Sequence, residues 1–435
     1  MSKECAGRAE SVTSLPGLRR VRSSGSRDGI HREFGRGSGT GNNSEIMRIL
    51  METHALAPIG GIEVNSLEVA ERLTACGYDI SVLYSADGSQ RGRWEAVTSS
   101  MQHVRGYVLR PLHPRDLPQA IPALLAARRV MPDLVYLNHP ELLPWAILCA
   151  RGTRAALICH LHHPLPRAPR HPHLIRLLSR EVYQFIAVSP QMRDYWVGAG
   201  VPGKKITVIR NGVAPDSYPI ATSAERAAGR AGLGIAANAP MYLYFGRLIP
   251  DKGIHFLLQA WQAVRRKAPD AVLVLMGAFD DGPTGEAYRH ELRGIGLDDC
   301  LLVPRQDNVL PILAASDVIV LPALWEEPFG RVVIEAMARG RPVVATRSGA
   351  IPGILTGEFA RHIVGRDDPS ELADAMLAAH ARAAADPGLA QRCADHVATN
   401  FNLDTEVGKI ATIIDSAVSR RKRWARSQMA TKRAP

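Results

Sequence analysis

The chain has 435 residues, 46% of them hydrophobic and 22% charged, with a formal net charge of +11, a length suited to two or three domains of roughly 150 residues each. The excess charge sits at the ends: residues 1–46 carry eight basic and five acidic side chains and residues 419–435 carry seven basic and none acidic, so the body between them is left with a net +1, which argues against a nucleic-acid-binding body. No stretch approaches the ~18 consecutive apolar residues of a membrane span, and six scattered cysteines with no C-x-x-C pair read as reduced thiols of a cytosolic protein, excluding a zinc site or disulfide framework.

Residues 1–46, rich in Gly, Ser and Arg, read as a disordered leader or a misassigned start, because Met47-Arg-Ile-Leu-Met is the first convincing strand. From there apolar runs alternate with helical ones: strand 47–51, helix 63–76, strand 79–84, helix 116–129, strand 133–137, strand 155–160, a basic helical stretch 173–180, strand 184–188, helix 190–198 and Ile206-Thr-Val-Ile. Such alternation implies βαβ units and a parallel sheet. Residues 216–239 read as a linker with a short helix. A second series follows: strand 241–245, helix 253–267, strand 271–276, helix 284–294, strand 300–303, helix 308–315, strand 317–321, a helix holding Glu335, strand 342–346, helix 351–355 and helix 369–385. An amphipathic helix 404–418 and a basic tail 419–435 end the chain. The fold class is α/β, two Rossmann-like domains (47–215 and 240–400) with a crevice between their strand C-termini, where ligands bind in such sheets.

The densest chemistry lies in Leu324-Trp-Glu-Glu-Pro-Phe-Gly-Arg-Val-Val-Ile-Glu335. Pro328 suits a first helical turn and Gly340-Arg341-Pro342 a stop, which places Glu327 in the entry loop and Glu335 two turns inside. Between them the N–H groups of Phe329, Gly330 and Arg331 sit at the positive end of a helix dipole, where a phosphate is welcome, and Gly330 leaves room for it. An anionic group at the helix mouth with hydroxyls on either side describes a nucleotide sugar. A second strand–turn–helix junction, Phe245-Gly246-Arg247-Leu248-Ile249-Pro250-Asp251-Lys252-Gly253, sets two cations five residues apart, a spacing suited to a diphosphate. In the first domain, Gly60 and Gly61 of Ala57-Pro-Ile-Gly-Gly-Ile-Glu63 permit close backbone approach. Histidines cluster at His160, His162 and His163 after one strand and at His139 after another, without the further ligands a metal would need.

These segments resemble retaining glycosyltransferases of family 4, which have the GT-B fold of two facing Rossmann-like domains. The resemblance spans about residues 47–418 and rests on the Glu-x7-Glu pair around Pro-Phe-Gly, the Gly-Arg-Leu…Lys-Gly segment and the Gly-Gly-hydrophobic-Glu segment. It implies that Glu327 contacts the transferred sugar, that Glu335 binds the ribose, and that Arg247 and Lys252 hold the donor diphosphate. His162 matches the histidine that faces the donor sugar, with His160 as the fallback. Gly277 matches the glycine ending its strand, and Gln306 lies where the base is contacted. Gly353 replaces the acid that usually closes the Ser348-Gly-Ala-Ile-Pro loop, and Arg331 stands where many members have Leu. Gly60, Gly61, His139 and His160 are expected to face the acceptor or its phosphate, His139 because its strand end points into the crevice, and by the same resemblance the last helix, 401–418, crosses back to brace the N-domain.

The expected activity is transfer of a hexose-type sugar from a nucleoside-diphosphate sugar to a saccharide or lipid-linked acceptor, with retention of configuration, in cell-surface polysaccharide or glycoconjugate synthesis. No Asp-x-Asp occurs, so no metal or other cofactor is expected. Competing readings are a nucleotide-sugar epimerase of the same architecture and a non-catalytic nucleotide-sugar-binding protein. No nucleic acid is expected as partner. Arg167, Arg170, Arg176 and Arg180, interleaved with Leu174, Ile175, Leu177 and Leu178, read either as a solvated helix face or as a surface that touches anionic membrane, in a protein expected in the cytoplasm.

Overall fold

In the computed structural model, residues 46–104, 117–165 and 170–433 are described; the leader, Arg167 and the last two residues of the tail lie outside them. The first lobe runs β1 (Arg48–Ala55), α1 (Gly61–Ala75), β2 (Asp79–Ala86), α2 (Arg91–Val97), β3 (Ser100–His103), α3 (Leu117–Val130), β4 (Leu134–Leu137), α4 (Leu143–Thr153), β5 (Ala156–Leu161), α5 (Pro172–Leu178), β6 (Gln184–Ala187), α6 (Pro190–Gly198) and β7 (Ile206–Val208). All neighbouring strands are parallel, in the order β3-β2-β1-β4-β5-β6-β7. Strands such as β4 (Leu-Val-Tyr-Leu) and β5 are buried along their whole length, because helices cover both faces of a parallel sheet.

The second lobe follows α7 (Ser223–Gly232) with β8 (Met241–Phe245), α8 (Ile254–Lys267), β9 (Val272–Gly277), α9 (Pro283–Ile295), β10 (Leu301–Pro304), α10 (Leu310–Ala315), β11 (Val318–Leu321), α11 (Arg331–Ala338), β12 (Val343–Thr346), β13 (Ile363–Val364), α12 (Pro369–Ala385) and α13 (Leu389–Asn400). Its parallel sheet is ordered β10-β9-β8-β11-β12-β13. Strand order reverses between β1 and β4 in one sheet and between β8 and β11 in the other, and those switch points are where open sheets of this type take ligands. Both lobes belong to one compact unit beginning at Ile46.

The last helix, α14 (Leu403–Arg433), continues well past Val418 through the basic run. Leu403, Val407, Ile410, Ile414 and Ala417 recur at helical spacing and pack in one apolar cluster with Ile49 of β1 and Val69 and Leu73 of α1. Arg72 donates to Asp404 at 2.7 Å and Tyr78 to Asp415 at 2.8 Å, which fixes the register of this brace on the first lobe.

Several elements escape the sequence pattern. β3 (Ser-Met-Gln-His) carries almost no apolar signal and is held as a sheet edge by pairing with β2. The apolar run of α4 has no amphipathic period, since seven of its residues are buried, and short buried helices and strands read alike. α2 and α13 are also absent from the sequence reading, and the helix expected over 351–355 is a 3₁₀ turn at Ile351–Gly353.

Candidate active site

The loop from β11 to α11 carries Glu327 on a frame of backbone contacts. Its N–H donates to Ser348 Oγ at 3.1 Å and its carbonyl accepts from Ala350 N at 2.9 Å, tying it to the turn after β12. Its carboxylate accepts from Lys252 Nζ at 2.6 Å and from Trp325 Nε1 at 2.9 Å, with the ammonium 5.0 Å from the Trp325 ring centroid. Glu327 and Lys252, given separate roles by the sequence reading, thus form one ion pair with side chains only 11% and 15% exposed. Arg247, at the end of β8, is exposed and forms no ion pair among the described residues. Gly277 serves packing: a Cβ there would lie 1.9 Å from the Gly246 carbonyl oxygen, so only glycine lets the ends of β8 and β9 approach.

The helix α11 starts later than Pro328 suggests. Gly330 is its N-cap, at φ 97°, and a Cβ would press 2.5 Å from Ile351 Cδ1. Its glycine is therefore set by left-handed backbone and a packed neighbour, a reason distinct from ligand access. Phe329 turns its ring into the core, 6.0 Å from Phe401. Glu335 consequently sits about one turn into the helix, where two were expected, and is 8% exposed. Burial pushes its carboxyl above the ordinary range, opposed by the adjacent Arg331 and reinforced by Glu68.

Arg331 links the lobes. Its Nε donates to Glu335 at 2.6 Å, Nη2 to Glu68 of α1 at 2.7 Å, and Nη1 to the Gly212 carbonyl at 3.4 Å. A second link is Ser189, the N-cap of α6, which accepts from Met192 N and donates to the Pro328 carbonyl at 2.7 Å. Beside this bridge opens a cleft lined by Glu68, Arg72, Tyr218, Asn308, Val309 and Leu310. Gln306 is exposed and lies just outside that lining.

On the facing wall, Gly60 is extended at the N-cap of α1, and Gly61 lies close to Arg331, its added Cβ reaching only 3.8 Å from Cδ. His160 and His162 stack at 3.9 Å between centroids, the first bonded to Tyr136 and the second to Asn138 Oδ1 at 3.2 Å. Burial drives both imidazoles down, His160 to about 3, so both are neutral near pH 7. His163 is part-exposed and pairs with Glu141 at 3.3 Å. His139 is held through Nδ1 by Glu52 of β1 at 2.9 Å. The sequence reading passes over Glu52, Glu68 and Ser189. A lone acid inside the otherwise apolar run of β1 is the signal for Glu52; Glu68 and Ser189 look like ordinary surface positions. No group of three or more His, Cys, Asp or Glu placed to hold a metal ion occurs among the described residues, and no helix among them is long and apolar enough to cross a membrane.

Two family models match in tandem: Glycosyltransferase Family 4 over residues 59–217 and Glycosyl transferases group 1 over residues 239–382. Among curated proteins, the lipopolysaccharide 1,2-N-acetylglucosaminetransferase of Salmonella typhimurium is 27% identical over 240 residues, 53% of this chain and 59% of that one. The D-inositol 3-phosphate glycosyltransferase of Saccharomonospora viridis is 33% identical over 160 residues, 35% of this chain and 37% of that one. The chain spans about half the length of the curated relatives it matches. Among solved structures, Anabaena HepE in complex with UDP-glucose superposes with a TM-score of 0.74 at 23% identity, over 85% of this chain and all of that one. Sucrose-phosphate synthase from Thermosynechococcus elongatus gives 0.68 at 19%, over 86% of this chain and all of that one. With two parallel Rossmann-like sheets in GT-B arrangement and both domain models matched in order, the chain belongs to the family 4 glycosyltransferases, the glycosyl transferases of group 1.

Proposed function

We propose that the protein transfers a hexose-type sugar from a nucleoside-diphosphate sugar to a saccharide or lipid-linked acceptor, with retention of anomeric configuration and without a metal, in cell-surface polysaccharide or glycoconjugate synthesis. The observation that carries this reading is the Lys252–Glu327 pair at the crevice end of β8 and β11, with the exposed cation Arg247 on the same strand end. A donor can divide that pair, its diphosphate taking Lys252 and Arg247 and its sugar hydroxyls taking Glu327. The sugar C1–O bond then breaks with its electron pair leaving on the diphosphate, the acceptor oxygen bonds to C1 on the same face, and the hydroxyl proton passes to the departing phosphate oxygen. Fixed cations aimed at that charge are worth about 3–4 kcal/mol each when one such donor is lost. Glu335 and Arg331 take the ribose, and His162 the sugar. Contacts across the crevice, Arg331–Glu68 and Ser189–Pro328, support a closed state that excludes competing water.

Leu177 and Trp424, 55% and 52% exposed near Arg176, Arg180 and Arg421, support peripheral contact with anionic lipid as part of this reading. The test is incubation with a panel of nucleotide sugars, with and without EDTA, following nucleoside diphosphate release and the anomeric configuration of the product by NMR. Slow hydrolysis with retention that survives EDTA is expected. An isomerised donor points to an epimerase, binding without turnover to a non-catalytic protein, and inversion or loss on chelation overturns the mechanism.

A further inference from the structure

The Glu327 carboxylate takes two side-chain hydrogen bonds among the described residues, and both fall on one oxygen: Oε2 accepts from Lys252 Nζ at 2.6 Å and from Trp325 Nε1 at 2.9 Å. Resting on the glycosyltransferase reading, we infer that Trp325 is a positioning residue of the reaction: its indole N–H keeps the Glu327 carboxylate in place when the donor diphosphate draws Lys252 away, and its ring is the resting seat of the Lys252 ammonium.

The backbone of Trp325 is anchored on two sides. Its N–H and that of Leu324 donate to the Asp251 carbonyl at 3.3 and 3.0 Å, and its own carbonyl accepts from Ser348 Oγ, the hydroxyl that also accepts from Glu327 N at 3.1 Å. Asp251 directly precedes Lys252, so the loop that carries the cation and the loop that carries the acid are joined through backbone at Trp325. Packing tightens the joint. Gly253 has φ 70°, and a Cβ there would lie 2.0 Å from the Pro322 carbonyl oxygen, so a side chain at this position would force the two loops apart.

The two donors respond differently to an anionic ligand. Lys252 is a compact charge on a flexible stem, which a diphosphate can redirect, and its ammonium rests 5.0 Å from the Trp325 ring centroid, within cation–π range. The indole is neutral, with a single N–H on a rigid ring, and does not follow a phosphate. Glu327 is only 9% exposed, and a carboxylate so far from water is costly to leave without a donor. When Lys252 turns to the diphosphate, Trp325 is the side-chain donor that stays. Because it holds Oε2, it leaves Oε1 able to accept from a sugar hydroxyl. The adjacent Glu326 does not compete for Lys252, since it accepts from Arg366 at 2.8 Å and from Gly349 N at 2.7 Å.

The test uses the full chain and the nucleotide sugar that wild type hydrolyses among UDP-, GDP- and ADP-hexoses, with kcat and KM measured and the matching nucleoside diphosphate titrated by calorimetry. Trp325→Phe, which keeps the ring and loses the N–H, should lower kcat about tenfold or more, as expected for a hydrogen bond to a charged group, while affinity for the bare nucleoside diphosphate stays within about twofold. Trp325→His, whose Nε2 occupies the ring position of the indole Nε1, should recover part of that turnover. In a Glu327→Ala background, followed under single-turnover conditions, Trp325→Phe should change the rate by less than about twofold, because a residue that acts through Glu327 then has nothing to hold; a purely structural role would cost the same in both backgrounds. Turnover of Trp325→Phe within about twofold of wild type, or an equal loss with and without Glu327, overturns the inference and leaves the glycosyltransferase reading standing. A wild-type protein that binds and hydrolyses no nucleotide sugar sinks that reading, and this inference with it.

Discussion

The two walls of the crevice use opposite electrostatics on the same topological frame. The second lobe meets it with full charges in mutual pairs, Lys252 with Glu327 and Arg331 with Glu335, and Arg331 reaches on to Glu68 of the first lobe. The first lobe meets it with imidazoles and acids in hydrogen-bonded sets, His139 on Glu52, His162 on Asn138 and His160 on Tyr136. Paired charges can be re-partnered by an anionic ligand without leaving a bare charge buried, which suits a diphosphate. Groups held in a fixed orientation by buried hydrogen bonds suit neutral hydroxyls instead. One wall is built to exchange partners, and the other to hold its own.

The largest effect should come from breaking the bridge between the walls. Arg331→Leu leaves Glu335 buried and Glu68 half-buried without their cation, and removing one partner of a buried pair costs about 3–5 kcal/mol. Denaturant unfolding should show that loss, and adding Glu68→Gln should recover part of it. Unchanged stability would mean that the Arg331 bridge contributes nothing net.

Next in size is Glu327→Gln, which keeps the shape and removes the charge that can stabilise an oxocarbenium-like sugar. Turnover should fall by about a hundredfold, on the order of 3 kcal/mol. Affinity for the bare nucleoside diphosphate should hold or rise, because Lys252 is released for it. Glu335→Ala should instead weaken the nucleoside diphosphate by about 1.5–3 kcal/mol through lost ribose contacts. If the two variants weaken that ligand alike, the division between sugar and nucleotide contact is wrong.

The smallest effect separates the walls by pH. His139 has its folded value raised to about 9 from an unfolded one near 6.5, so its pairing with Glu52 contributes fully below about pH 6.5 and is lost as pH rises through 9. The melting temperature should decline by a few degrees between pH 7 and pH 10, and Glu52→Gln should flatten that decline. An equal slope in both proteins would detach it from this pair.

How much of this was legible in the chain depends on the range of the force involved. Alternating apolar runs and turn residues report local backbone preference, so the parallel sheets, the two-lobed GT-B class and the loop position of Glu327 could be read directly. The start of α11 could not, because Pro328 mimics a first-turn proline while Gly330, forced to φ 97° against Ile351, begins the helix later. Nor could β3, whose four residues become a strand only by pairing with β2.

The sequence by itself determined which residues stand at strand ends and helix starts, since those are local events that place Arg247, Lys252, Glu327, His139 and His162 at one edge of each sheet. Only the tertiary structure decided what each of them touches. Lys252 and Glu327 are 75 residues apart, Arg331 and Glu68 263, and His139 and Glu52 87, and no pattern of a few residues encodes such a meeting. Burial then turns those meetings into chemistry, raising His139, depressing His160 and locking Arg331 between two carboxylates, because the interaction of charges depends on the solvent that folding removes.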